Sequence, residues 1–101
     1  MAAEAKRIVQ DYLNNMYPLE GGFPTVAVVE SETVERPYGW FFFYNAVQAL
    51  EMGNMGHSLI GNGPILVRRG DGKVVEFSSF YSVNAAVTAY EADPAKFQPR
   101  T

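Results

Sequence analysis

The 101-residue chain has no cysteine and a single histidine, His57. Without thiols there is no disulfide staple, no thiol nucleophile and no zinc–thiolate site. The lack also fits a reducing cytoplasm. Basic residues are few: 8 Lys and Arg stand against 11 Asp and Glu, for a net charge of −3 and a pI near 5.0. A nucleic-acid binder needs a basic face to neutralise phosphates, so this balance argues against nucleic acid as a partner. Long apolar runs are missing too. The longest, Trp40–Tyr44, is too short to span a bilayer. The opening MAAEAKRIVQDYL lacks the apolar stretch of about 7–15 residues that a secretory signal needs. The expectation is a soluble, cytoplasmic protein with no membrane partner.

Apolar residues, by contrast, make up 48% of the chain and aromatics 14%, which excludes intrinsic disorder. The length allows one domain, residues 1–101, with an ordered core over about 3–92 and a tail expected to fray over 93–101. Residues 3–17 have helical periodicity: Ala5, Ile8, Val9, Tyr12, Leu13 and Met16 form one stripe, and Pro18 ends it. Thr25–Glu32 has the length and valine content of a strand, with Val26 and Val28 on the face of Glu30 and Glu32. Arg36-Pro37-Tyr38-Gly39 is a turn, and Trp40–Tyr44 is the strongest strand signal in the chain. Residues 46–51 suit a short helical turn, and 52–63 are a loop rich in Gly and Asn. Pro64–Arg69 and Lys73–Phe77 are strands joined by the hairpin signal Asp71-Gly72. Ser82 suits the cap of a last helix whose stripe is Val83, Ala86, Val87 and Tyr90. Helix, four strands and helix, with hairpin-length links, predict a two-layer α+β domain. Its four-stranded antiparallel meander is flanked by an N-terminal and a C-terminal helix, both able to cover one face.

The candidates for chemistry are sparse. His57 has no carboxylate close in sequence to orient it and is read as a solvated loop side chain. Ser78, Ser79 and Ser82 lie outside any nucleophile elbow. Gly61-Asn62-Gly63-Pro64 opens a strand rather than a helix, and no Gly-Lys-Ser/Thr follows, so it is a turn rather than a phosphate cradle. Glu30, Glu32 and Glu35 admit three readings. They form an acid–base or metal pair, a charged strand edge that resists edge-to-edge pairing, or an acidic docking patch. Arg68-Arg69 is too small for a nucleic-acid stripe. The aromatic run leaves a surplus: Trp40, Phe42 and Tyr44 take one face, Phe41 and Phe43 the other. With both helices on one side, the second is covered by the loop that carries Met52, Met55, Leu59 and Ile60, or it is exposed for a partner.

Several segments in order are similar to the immunity protein 35 family. They are Gly39-Trp40-Phe41-Phe42-Phe43-Tyr44-Asn45, Ala49-Leu50-Glu51-Met52-Gly53-Asn54, Gly61-Asn62-Gly63-Pro64-Ile65-Leu66-Val67 and Asp71-Gly72, with Tyr12-Leu13 and Tyr90 at either side. The resemblance covers about residues 5–91. It implies a cytoplasmic bacterial antidote of a polymorphic toxin system, used in interbacterial competition. Such an antidote binds its cognate toxin one-to-one and blocks the active site; a papain-like cysteine peptidase or amidase is the first toxin class the resemblance implies, with a nuclease or deaminase as the other. A holdase-type chaperone is the alternative. The resemblance supplies no catalytic residues, metal, cofactor or small-molecule substrate, so the protein is not expected to be an enzyme. Arg68 stands where an acidic or polar residue is expected after the aliphatic strand. The residues expected to meet a partner are Glu30, Glu32, Glu35, Tyr38, Phe41, Phe43, Met55, His57 and Arg68.

Overall fold

The computed structural model describes residues 2–52 and 63–99. Helix α1 spans Ala2–Met16 and buries Ala5, Val9 and Leu13, spaced by four on one stripe. After Pro18 the chain reverses at Gly21-Gly22, where both residues have positive φ, and Glu20 and Phe23 exchange backbone hydrogen bonds of 2.9 Å. Six short strands follow: β1 Val26–Val28, β2 Val34–Arg36, β3 Gly39–Phe42, β4 Tyr44–Ala46, β5 Ile65–Arg68 and β6 Val74–Glu76. Two further helices are α2, Val47–Met52, and α3, Val83–Ala92.

The strands make four passes. Antiparallel β2, β3, β5 and β6 form one sheet in the order β2-β3-β5-β6, and β1 pairs with β4. Phe43 alone separates β3 from β4, and its carbonyl accepts a 2.8 Å bond from the Val29 N–H. The first two passes are therefore one long hairpin, and the expected meander order holds.

The first pass is not the continuous strand expected over Thr25–Glu32. It stops at Val28, and Glu30–Glu32 form a 3₁₀ turn before pairing resumes at Val34. Val28 stands opposite Tyr44 and Val34 opposite Phe41, so residues 29–33 face only 42 and 43 on the partner strand. Glu and Ser favour neither the pleat nor its packing, so this stretch is where the ladder breaks. Val34–Arg36, which the patterning did not mark, then joins the sheet as β2.

Layering differs as well. The helices do not share a face: the sheet lies between them, giving three layers. On one face α1 packs its stripe on Trp40, Phe42, Tyr44, Ile65 and Val67. On the other, α3 packs Val83, Ala86, Val87 and Tyr90 on Phe41, Leu66, Val75 and Phe77. A strand that is apolar on both sides needs a cover on both, and α3 supplies the second. The tail does not fray at residue 93 either. Pro94–Lys96 make a 3₁₀ turn, and Phe97 returns to the α3 layer, with ring centroids 4.9 Å from Phe77 and 5.9 Å from Tyr81.

Candidate functional site

The three glutamates do not converge. Glu30 and Glu32 sit in the 3₁₀ turn, so they no longer share a strand face as predicted. Glu30 pairs with Lys6 on α1, and Glu35 on β2 accepts a 2.8 Å bond from Arg69 Nη2. Glu32 forms no ion pair among the described residues. No group of three or more His, Cys, Asp or Glu able to hold a metal ion occurs among them.

Phe41 is wholly buried beneath α3 and makes edge contacts with Tyr38 and Tyr90. As core it cannot meet a partner, which corrects its place among the expected contact residues. Met55 and His57 lie outside the described residues. Tyr38 and Arg68 come together at a shallow cleft of about 430 Å³, also lined by Pro37, Gly70 and Tyr90. There the Tyr38 hydroxyl donates to Glu91 Oε2 at 2.9 Å. Partial burial, and then that bond, hold its pKa far above the ordinary phenol value. Arg68 is tied to Asp71, and this hydrogen bond is the main reason the Asp71 carboxyl lies below its usual range. On the opposite face, burial and a hydrogen bond with Tyr17 raise Tyr44 in the same way as Tyr38. Both phenols stay protonated at neutral pH and act as hydrogen-bonding groups.

Glu32 and Phe43 meet at the break in the first hairpin. The 3₁₀ turn bows the chain outward there, α2 leaves β4 beside it, and α3 begins at Ser82. The space between is a groove of about 490 Å³, lined by the apolar Val29, Phe43, Ala49, Leu50 and Val83 and by the polar Glu32, Asn45 and Ser82. It adjoins a second depression of about 230 Å³ that shares Glu32, Ser82 and Val83 and extends to Val34 and Asn84. Ser82 acts as the expected helix cap, its Oγ accepting from the Ala85 N–H at 3.1 Å. Leu50, on the groove floor, is 40% exposed, more than most large apolar side chains here. Phe80, three residues before Val83, is 92% exposed. Patterning missed Leu50 and Phe80 as surface residues. A signal existed for Phe80: Phe80-Tyr81 falls in the six-residue link between β6 and α3, and only one of the two rings can turn inward. Tyr81 does so, against Phe77 and Phe97.

Among the described residues, the buried Trp40 Nε1–H has no hydrogen-bond partner. The Arg69 guanidinium lies 4.2 Å above the ring, a cation–π contact.

Against known proteins, one family model matches the chain, that of Immunity protein 35, over residues 3–98. No curated protein and no solved structure matches it.

Proposed function

Because the chain belongs to the immunity protein 35 family, we propose that it is the antidote of a polymorphic bacterial toxin. In this reading it acts in the cytoplasm, binds its cognate toxin one-to-one and covers the toxin's active site. An antidote of this kind needs no catalytic group of its own; it needs a surface that fits. The groove at the hairpin break is the observation that supports this reading best. It combines a mostly apolar lining, in which Leu50 is exposed, with a carboxylate, the anatomy of a protein-docking patch. A papain-like cysteine peptidase or amidase is the toxin class to test first, on family grounds.

The test is co-expression with the product of the neighbouring reading frame. Cells expressing that product alone should stop growing, and this chain should restore growth and co-purify with it at equal stoichiometry. Continued arrest, with no complex on size exclusion, would overturn the reading. The holdase alternative draws on Phe23 and Phe80, which are 75% and 92% exposed. It predicts suppressed aggregation of unrelated heated proteins, which a dedicated antidote does not produce.

A further inference from the structure

We infer that the groove at the hairpin break receives a toxin segment in which an apolar side chain stands beside a lysine or arginine. This rests on the antidote reading and adds the chemistry of what is bound.

The charge pattern carries the inference. Three glutamates lie within six positions, and two are already satisfied: Glu30 by Lys6 and Glu35 by Arg69. Among the described residues Glu32 is the charged side chain that lines the groove, and no ion pair holds it there. Neither the groove nor the adjoining depression is lined by a lysine or arginine. The local field is therefore dominated by one carboxylate, partly offset by the N–H groups at the start of α3, beside a mostly apolar lining that also includes Asn45 and Ser82. No lysine or arginine among the described lining residues offsets Glu32 for an incoming carboxylate or phosphate, so acidic segments and nucleic acid are disfavoured.

Beside a low-polarity surface a charge pair is stronger than in open water. The floor supplies that surface: Leu50, 40% exposed, and the partly buried Phe43 present apolar area that an aliphatic or aromatic side chain would cover. At about 490 Å³ the groove lies within the range of roughly 300–1,000 Å³ typical of sites that enclose a ligand. A basic residue next to an apolar one satisfies both halves of the site. The long apolar stem of lysine or arginine lets the charged head reach the rim while the stem lies on the floor.

Two arms of experiment test this. In the first, the full chain and the product of the neighbouring reading frame are mixed in stopped flow at several salt concentrations. Glu32→Lys should weaken the complex about tenfold or more and flatten the salt dependence of association. Leu50→Asp should weaken it comparably by blocking the floor, whereas Glu30→Gln should leave it within about twofold. Urea unfolding of each variant checks that the fold survives. In the second arm, fluorescein-labelled peptides alternating leucine with lysine, or leucine with glutamate, are titrated against the full chain. The lysine peptide should bind and Glu32→Lys should abolish its binding; the glutamate peptide should not bind.

A tight complex that neither Glu32→Lys nor Leu50→Asp disturbs would overturn the inference and leave the antidote reading standing. Preference for the glutamate peptide, or a dimer of this chain that Leu50→Asp dissolves, would overturn it as well. Absence of any complex with the toxin would sink both together.

Discussion

Gly63 is glycine because of what lies beside it. A Cβ there would run into the backbone carbonyl oxygens of Phe77 and Ser78, and neither can retreat, since the Phe77 N–H donates to the Pro64 carbonyl at 3.0 Å. Gly63→Ala should therefore part the ends of β5 and β6. We expect a loss of about 1–3 kcal/mol, a large share of the roughly 5–15 kcal/mol that holds a domain together, read as a lower urea midpoint at unchanged slope. An unchanged midpoint would show that this junction gives way without cost. Patterning marks Gly63 as a turn residue, but the neighbour that forbids a side chain is long-range and leaves no local trace. Trp40 was more legible. A Trp inside an aromatic run belongs in the core, and it is 4% exposed. Phe41 shows the limit of the same reasoning: alternation placed it opposite Trp40, but only the position of α3 decides that this second face is interior rather than interface. Among the residues lining the groove, Glu32 stands out in the sequence by its charge, whereas Leu50 is hidden because nothing in its local pattern separates a core leucine from a groove leucine.

At the level of elements, the β5–β6 hairpin was read correctly from Asp71-Gly72, and its chemistry makes a pH prediction. Gly72 has φ of +68°, and Arg68 and Lys73 close a four-residue connection with a 2.9 Å backbone bond. The Asp71 carboxylate accepts from the Arg68 guanidinium and from the Lys73 N–H at 3.0 Å. The Arg68 bond is the larger reason its folded-state pKa is depressed. The sign follows: the stabilisation is complete above the ordinary aspartate value of about 3.9 and fades as pH falls through the lower, folded-state value. Wild type should exceed Asp71→Asn in thermal midpoint at neutral pH, and the gap should narrow as the pH is taken below that of the free side chain. A gap that is constant down to pH 2 would mean that the pair does not contribute. The first hairpin was read less well. Glu30 and Glu32 continue the period-two spacing of Val26 and Val28, and such patterning cannot tell a charged strand edge from a break in the ladder. Only the poor fit of Glu and Ser to a pleat hinted at the turn that opens the groove.

For the molecule as a whole, the order of elements was legible because apolar spacing switches from helical to strand period and back along the chain. Layering was not legible: periodicity says which side of a helix is apolar but not which face of a sheet it will choose. The outcome is that each face of the sheet is closed by a different end of the polypeptide, and this has a consequence in time. During synthesis the face under α1 meets its cover from the start, because α1 is made first. Phe41, Leu66 and Val75 must wait for α3, which the ribosome delivers about 1–4 s later at roughly 5–20 residues per second. In that interval the nascent chain shows an uncovered oily surface to chaperones and proteases. A chain terminated after Ser79 should remain in that condition, binding a hydrophobic dye strongly and being cleared from cells quickly, while the full chain does neither. Equal dye binding by the two would mean that the second face closes without α3. Closure by α3 would then double as quality control: a chain cut short before α3 should be removed before it can bind a partner.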